Sequence, residues 1–254
     1  MNSELEVFLD KGYLLLNGAL NQNLLLSLKR SLNYSYQRRV TLLKKNSVEG
    51  NNLGTLHHLI CDDLKFLDVL HIIHNYDYLF TKIFNSKYIL NSYGAVLNRK
   101  TSSYVHNIHR DIRFISDQIF MVNIIVMLHD FTIDNGATWI LPKSQMIRDC
   151  NDSLFEDNSI QITGKAGDIL VFDSRLLHKA GQNNTTRNRD CLTLTLTKPF
   201  FKQQLDYTKG VDRKILDSSP EFIKQLLGYY SRVPASLDEY YQPSHRRFYQ
   251  KNQD

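Results

Sequence analysis

Two histidines and one aspartate in this chain have the types and spacing of a metal-binding set. His109 and Asp111 lie two residues apart, so their side chains point to one side if that segment is extended. His178, far downstream, would add a second imidazole. Two imidazoles and one carboxylate form the facial triad of non-heme Fe(II) sites, which leaves positions open for a co-substrate and dioxygen. His109, Asp111 and His178 are therefore the predicted metal ligands.

Other histidines offer alternative sites. His106 lies three residues before His109, and the two of them with Asp111 would suit a zinc hydrolase. His71 and His74 have i, i+3 spacing on a predicted helix, but the sequence shows no third ligand beside them. A structural role is the simpler interpretation of that pair.

An Fe(II) oxygenase also needs an electron-rich co-substrate, and 2-oxoglutarate is the common choice. Its distal carboxylate calls for an arginine in bidentate contact. Arg189 shares strand parity with Cys191, Thr193 and Thr195, so it is predicted to point into the same cavity as these side chains. Arg187 has this parity too and is the alternative anchor. Leucines at the intervening positions predict a barrel strand with a polar inner face and an apolar outer face.

The elements that must position these residues fall into three parts. Residues 1–87 are predicted to be mostly helical, 88–200 to form a β core, and 201–254 to contain a short helix and a tyrosine- and arginine-rich tail, all in one domain. Short β-rich segments separated by turn signals occupy 88–98, 119–128, 139–141, 160–163, 168–172 and 191–198. This pattern predicts a mainly β sandwich or barrel with packed helices. The polar stretch 38–58 shows little periodicity and is predicted to be a loop bordering the site.

Composition narrows the function classes. The 254 residues carry a net charge of only +5, and the basic pairs form no long run, which does not favour a nucleic-acid partner. Three widely spaced cysteines (Cys61, Cys150 and Cys191) argue against a disulfide framework and a cysteine zinc site. The acidic N-terminus does not resemble a signal peptide, and the longest apolar run, 119–128, is too short to span a bilayer. A cytoplasmic protein without membrane association is expected.

Substrate contacts can be assigned only from strand parity and position. Asn91 and Tyr93 share a face of the strand that precedes the metal motif, so one or the other is predicted to project over the iron, with Asn91 as a co-substrate contact and Tyr93 as a substrate contact. Arg113 is a candidate for meeting an anionic substrate, although a surface ion pair explains it equally well. Trp139 is a candidate for a wall of the substrate site, although a lone tryptophan also suits a core.

Several motifs together resemble the phytanoyl-CoA dioxygenase family. These are the His109-Arg110-Asp111 tripeptide, the opening FLDKGY at 8–13, and further segments with the order and spacing of that family: LHDFT at 128–132, DNGA at 134–137, PKS at 142–144, GDILVFD at 167–173, LHKAGQN at 177–183 and then Arg189. The resemblance covers residues from about 5 to 200. It implies a double-stranded β-helix (jelly-roll, cupin-like) core with helices on one side. It also implies Fe(II) held by His109, Asp111 and His178, with 2-oxoglutarate anchored by Arg189.

The chain departs from the family pattern at two places. The usual Pro-Gly-Ser-His turn is Pro142-Lys143-Ser144-Gln145 here, and Cys191 stands where many members have serine, two residues after the arginine. The carboxylate ligand itself is retained. Halogenating relatives have a small residue at that position to make room for chloride, so Asp111 favours oxygen insertion.

The predicted function is that of an Fe(II)- and 2-oxoglutarate-dependent dioxygenase, which uses O2, hydroxylates or otherwise oxidises a small molecule, and releases succinate and CO2. Desaturation, cyclisation and epoxidation would use the same residues. Three alternatives remain open: the same chemistry on a nucleic-acid or protein substrate, a non-catalytic jelly roll that only binds a ligand, and the zinc hydrolase described above. The substrate and the oligomeric state are not predicted.

Overall fold

The structure is a computed structural model, which describes residues 2–48, 53–98, 104–148, 152–251 and 253. Helix α1 (Asn2–Lys11) ends at Gly12, which has φ +80° and donates its N–H to the Phe8 carbonyl at 2.8 Å. Strand β1 (Tyr13–Leu16) follows. Helix α2 (Gln22–Lys45) begins after Asn21, whose side chain accepts a hydrogen bond from the Leu24 N–H.

The predicted loop at 38–58 is wrong in two places. Helix α2 continues to Lys45, and strand β2 occupies Thr55–His57, while residues 49–52 lie outside the described residues. The second half of α2 is largely exposed, so it has no apolar stripe to give a helical period. The rest of this mostly helical part contains α3 (Leu67–His74) and α4 (Asp77–Phe84), preceded by a short 3₁₀ turn.

Two antiparallel sheets follow. The remaining strands are β3 (Ile89–Asn98), β4 (Met121–Met127), β5 (Thr138–Ile140), β6 (Ile160–Ile162), β7 (Ile169–Asp173), β8 (His178–Lys179) and β9 (Arg189–Thr197). Six strands form the large sheet in the order β1-β7-β4-β9-β3-β2, and three form the small sheet in the order β6-β5-β8. Strands β1 and β2, both from the part predicted to be mostly helical, form the two edges of the large sheet. A short helix, α5 (Asp152–Asn158), lies between β5 and β6.

The large sheet is covered on both faces. On one face the leucines of β9 pack into a core shared with α2, α3 and α4. On the other face Ile125, Phe172 and Cys191 pack with Ile140 and Ile162 of the small sheet. The architecture is therefore a helical layer, a six-stranded sheet and a three-stranded sheet, which confirms the predicted mainly β fold with packed helices. The functional site lies between the two sheets.

The C-terminal part adds four short helices: α6 (Tyr207–Gly210), α7 (Arg213–Ser218), α8 (Glu221–Leu226) and α9 (Leu237–Tyr240). Helix α8 is the predicted one, and Gly228 with φ +80° follows it. Among the described residues, no helix is both long enough and apolar enough to cross a membrane. Cys61 and Cys191 are free thiols, and Cys150 lies outside the described residues.

Candidate metal centre and cavity

The backbone brings the two distant histidines side by side. His109 and His178 form an antiparallel bridge in which each N–H donates to the carbonyl of the other, at 3.1 and 3.0 Å. Asp111 is fixed by its own N–H, which donates to the Ser174 carbonyl at 3.0 Å. Main-chain pairing between the segment of the H-x-D motif and the segment that leads into β8 therefore places all three side chains together.

The three side chains form the one cluster of potential metal ligands found among the described residues. One oxygen of Asp111 lies 3.7 Å from His109 Nε2, and the other lies 3.8 Å from His178 Nε2. The ligand atoms are all within 4.8 Å of one another. Such spacing lets one cation contact all three groups, with the opposite side left open.

Hydrogen bonds orient both imidazoles. His109 Nδ1 lies 2.7 Å from the Asn107 carbonyl oxygen, and His178 Nδ1 lies 3.0 Å from that of Leu176. A carbonyl oxygen only accepts, so each Nδ1 carries the proton and each Nε2 presents a lone pair. Burial lowers the pKa of His178 below its usual value, which favours the neutral ring. Neutral imidazoles with free Nε2 atoms are the form that binds metal.

A series of hydrogen bonds between side chains holds the Asp111 carboxylate in place. Asn123 on β4 donates its amide N–H to Asp111 Oδ2 and accepts a hydrogen bond from the Thr195 hydroxyl at 3.2 Å. Thr195 accepts in turn from the Ser92 hydroxyl at 3.1 Å. This role of Asn123 was not predicted from the sequence. The available signal was one amide in an otherwise apolar strand, where a buried polar group needs a partner.

A cavity of about 290 Å³ opens from the three ligands into the space between the sheets. Its walls come from β3, β4, β5, β7 and β9, and the polar side of β9 faces inward as predicted: Arg189, Cys191, Thr193 and Thr195 all line it. Small-molecule sites are typically about 300–1,000 Å³. The cavity therefore lies at the lower end of this range.

Arg189 is the one large cation in the walls of the cavity, as far as the described residues show. Its side chain is 1% exposed. Its guanidinium donates to the Gly136 carbonyl, contacts Cys191 Sγ at 3.7 Å and lies 4.4 Å from the centre of the Phe131 ring. Its Nε has no hydrogen-bond partner, and burial lowers its pKa. Arg187, the alternative anchor, is exposed.

The predicted orientation of Asn91 and Tyr93 is wrong. A register shift between Leu90 and Ser92 marks an irregularity in the pairing of β3 with β9, and beyond it Ser92 faces the cavity instead. Asn91 is buried and donates to the Lys202 carbonyl at 2.9 Å. Tyr93 lies in the core under the helices, where its hydroxyl donates to the Phe66 carbonyl at 3.2 Å. Neither side chain lines the cavity.

Arg113 and Trp139 are also outside the cavity walls. Arg113 is exposed on the surface beyond Asp111. Trp139 packs on the far side of the small sheet against a cluster that contains Leu141, Phe155 and Leu177, while its neighbour Thr138 faces the cavity. Because side chains of a strand alternate between faces, the cavity-facing residue of β5 is the one before the tryptophan.

The competing histidines do not join the cluster. His106 is not among the three grouped ligands, so the described residues give the zinc hydrolase arrangement no support. His74 stacks on the Phe222 ring at 4.0 Å, and His71 meets the edge of the same ring. These contacts give the pair the structural role that its spacing suggested.

Comparison with known proteins gives a consistent set of relatives. An uncharacterised protein of Mycobacterium tuberculosis is 40% identical over 147 residues, which are 57% of this chain and 54% of that protein. The dioxygenase cdmA of Talaromyces verruculosus is 28% identical over 148 residues, 55% of this chain and 50% of its own length. The chain thus spans about half the length of these relatives.

Solved structures show a similar fold. HygX of Streptomyces hygroscopicus, solved with nickel and 2-oxoglutarate bound, superposes with a TM-score of 0.61 at 13% identity over 80% of this chain and 89% of that one. The epimerase SnoN, in complex with Fe³⁺, α-ketoglutarate and nogalamycin RO, gives a TM-score of 0.60 at 16% identity over 77% of this chain and 82% of its own. The family model for phytanoyl-CoA dioxygenase matches residues 8–191, and the chain therefore belongs to the phytanoyl-CoA dioxygenase family.

Proposed function

We propose that this chain is an Fe(II)- and 2-oxoglutarate-dependent dioxygenase that oxidises a small molecule, built on a double-stranded β-helix core. One observation carries the proposal: a two-histidine, one-carboxylate cluster and a buried, incompletely paired arginine line the same small cavity. Two antiparallel sheets that face each other across the cavity support the jelly-roll assignment.

The residues fit the metal. His109 and His178 offer Nε2 lone pairs, and Asp111 offers a carboxylate held by Asn123. Two imidazoles and a carboxylate on one side, with cavity on the other, suit non-heme Fe(II). The carboxylate at position 111 also occupies the place that a halide would need, which supports oxygen insertion over halogenation.

The residues also fit the co-substrate. Arg189 is buried with its Nε unpaired, and among the described residues it forms no ion pair with a carboxylate. A buried cation without a counter-charge is costly, so the site is prepared for a carboxylate ligand. The thiol of Cys191 beside it is held neutral, because burial raises its pKa, and it adds no competing charge.

When bound, iron and 2-oxoglutarate supply the oxidising power for attack on a substrate C–H bond by dioxygen, with succinate and CO2 as co-products. The residues of the chain hold the metal ligands and the co-substrate in position. His109 and His178 hold their rings through Nδ1–H, Asn123 holds one oxygen of Asp111, and Arg189 fixes the far end of the co-substrate. Apolar walls formed by Ile125, Val96 and Phe172, among others, keep water from much of the cavity.

Succinate formation tests the proposal. Wild-type protein with Fe(II), ascorbate and 2-oxoglutarate should form succinate when a panel of metabolites includes a substrate. Asp111→Ala and His178→Ala should abolish this turnover and leave the circular dichroism spectrum unchanged, whereas His245→Ala, which changes an exposed histidine of the tail, should have no effect. Full turnover in either ligand variant contradicts the iron assignment. Absence of 2-oxoglutarate binding to metal-loaded wild type would instead support a non-catalytic barrel, and tight, salt-dependent DNA or RNA binding would favour a nucleic-acid substrate.

A further inference from the structure

Apart from the buried Thr138 and the hydrogen-bonded series Asn123, Thr195 and Ser92, three polar side chains of the cavity serve neither the metal ligands nor the co-substrate anchor. They are His57 on β2, Thr193 on β9 and Gln204 in the segment after β9. His57 and Gln204 are exposed and Thr193 is half-buried, so they lie toward the open side of the cavity. None of the three side chains hydrogen-bonds to a described residue. They define what we call the rim.

Pairing of three strands aligns two members of the rim. His57 is the partner of Gly94 in β3, and Gly94 is the partner of Thr193 in β9, so the three residues form one row across the sheet. Residues directly opposite each other project to the same face. Strands lie about 4.8 Å apart, which separates the His57 and Thr193 backbones by about 10 Å with a glycine between them.

Glycine at position 94 keeps this row open. A Cβ at that position would overlap the Leu56 carbonyl oxygen and lie 3.2 Å from the Thr193 hydroxyl oxygen. A side chain there would therefore push β2 away from β3 and cover Thr193. Because Gly94 has no side chain, a gap remains between the His57 imidazole and the Thr193 hydroxyl.

Hydrogen bonds between β3 and the segment after β9 fix the position of Gln204. Its N–H donates to the Asn91 carbonyl at 3.1 Å, and the Asn91 amide donates to the Lys202 carbonyl at 2.9 Å. Gln203 adds a bond from its amide to the Leu90 carbonyl at 2.6 Å. Asn91 thus acts as a positioning residue: it ties the segment after β9 to β3 at the point from which Gln204 reaches the cavity.

The rim carries no fixed charge. Among the described residues that line the cavity, only Asp111 and Arg189 are permanently charged, and both have partners in the proposed function. Partial burial, and then the nearby Arg39 cation, lower the pKa of His57, which favours the neutral imidazole. A substrate group entering here finds donors and acceptors but no unpaired counter-ion, because Arg39 is itself paired with Asp62 at 2.9 Å, so a charged group would lose hydration without compensation.

Resting on the proposed function, we propose that the rim selects an uncharged, oxygen-rich substrate of the sugar type, bound through hydroxyl and ether oxygens by His57, Thr193 and Gln204. The small cavity volume of about 290 Å³ supports this assignment, since it admits the reacting end of a substrate while the rest remains at the rim. A neutral imidazole, a hydroxyl and an amide each both donate and accept, which matches the dual character of sugar hydroxyls.

Binding of three matched probes tests whether the rim prefers an uncharged ligand, and this measurement needs no catalytic turnover. Methyl β-glucopyranoside, methyl β-glucuronide and methyl β-glucosaminide share one ring and differ in charge. Their binding to protein loaded with Ni(II) and 2-oxoglutarate is measured by saturation-transfer NMR. We expect the neutral glycoside to bind at millimolar concentration and the two charged analogues to bind at least about tenfold more weakly, because the rim offers their charges no counter-ion in exchange for the hydration they lose. Equal or stronger binding of a charged analogue, or no binding of any probe, overturns the proposal.

Variants test the residues. Gln204→Ala and His57→Ala should each weaken binding of the neutral glycoside about threefold to tenfold, the effect of losing one hydrogen bond, and His57→Gln should retain it. Gln204→Lys should gain binding of the glucuronide. Gln37→Ala, which changes an exposed glutamine of α2, is the control. Unchanged binding in both alanine variants overturns the assignment of the rim.

The same samples separate this proposal from the one on which it rests. Titration calorimetry of 2-oxoglutarate into Ni(II)-loaded protein reports on the metal site and on Arg189 alone. Failure of that binding contradicts the proposed function whatever the glycosides do. Normal 2-oxoglutarate binding without discrimination among the glycosides contradicts only the role of the rim.

Discussion

Replacement of Arg189 by methionine should separate co-substrate binding from stability. Methionine fills a similar volume without charge or donors. A charge-assisted, bidentate contact with the distal carboxylate is worth about 1.5–3 kcal/mol. At about 1.4 kcal/mol for each factor of ten, Arg189→Met should weaken 2-oxoglutarate binding about 10-fold to 150-fold.

The same substitution should not destabilise the protein that has no co-substrate. Arg189 is 1% exposed, its Nε lacks a partner, and the contacts it has are a carbonyl, a thiol and the face of Phe131. Replacement of a buried charge by an apolar side chain is often neutral or stabilising. Loss of the hydrogen bond to Gly136 offsets part of this gain. We expect a change between zero and about +1 kcal/mol, which for a chain of this size raises Tm by up to about 4 °C.

Scanning calorimetry with Ni(II), with and without 2-oxoglutarate, measures both effects in one series. Arg187→Met is the matched control, since it changes an exposed arginine two residues earlier and should leave both values at wild-type level. A variant that loses several kcal/mol of stability but binds 2-oxoglutarate normally would refute the reasoning. Arg189 would then be a structural residue, and the anchor would lie elsewhere.

Two further predictions concern the groups that support the site. Asn123→Ala removes the donor to Asp111 and should lower the affinity for Mn(II) about 10-fold to 100-fold, the usual effect of losing a partner of a metal ligand; unchanged affinity in a calorimetric titration would contradict the role of this amide. Asp173→Ala leaves Arg175 buried without its carboxylate partner and should cost about 3–5 kcal/mol in urea unfolding. The exposed ion-pair variant Asp217→Ala should cost less than about 1 kcal/mol, and an equal loss in both would refute the burial argument.

The parts of the fold that were predicted correctly are those in which one residue type repeats with a clear period. Strand β9 shows it: its leucines are buried under the helices, and Arg189 and the threonines face the cavity. Burial on one face and polarity on the other leave a signal in every second residue. The polar second half of α2 carried no such signal, because solvent covers most of its faces. This half of α2 is helical as far as Lys45 although it has no apolar stripe, which is consistent with the helix propensity of its residues.

The wrong assignments on β3 have one physical origin. Parity along a strand holds only while the register is regular, and a single shift moves every following side chain to the opposite face. The shift between Leu90 and Ser92 comes where Asn91 binds the segment after β9. Neither that contact nor the position of Gln204 leaves a mark in the local sequence, because both depend on residues more than 100 positions apart. Asn91 retains a role, but as a support.

In the turn at 142–145, Lys143 and Gln145 differ from the family pattern and Ser144 is retained. The retained serine matters more for the metal site than the two changed residues. Ser144 accepts a hydrogen bond from the Leu177 N–H at 2.9 Å and donates to the Leu141 carbonyl at 2.7 Å. It thereby fixes the residue before His178, where a slip by one position would turn the ligand out of the site.

Lys143, in place of glycine, adopts φ +63°, a left-handed conformation that costs a non-glycine residue about 1–2 kcal/mol. Its N–H donates to the Lys11 carbonyl at 3.0 Å, and its ammonium pairs with Asp10 at 2.7 Å. That ion pair is exposed and contributes at most about 1 kcal/mol, so it offsets only part of the strain. The turn keeps its shape because Ser144 and the main chain of α1 hold it, and the position of His178 therefore survives the loss of the glycine.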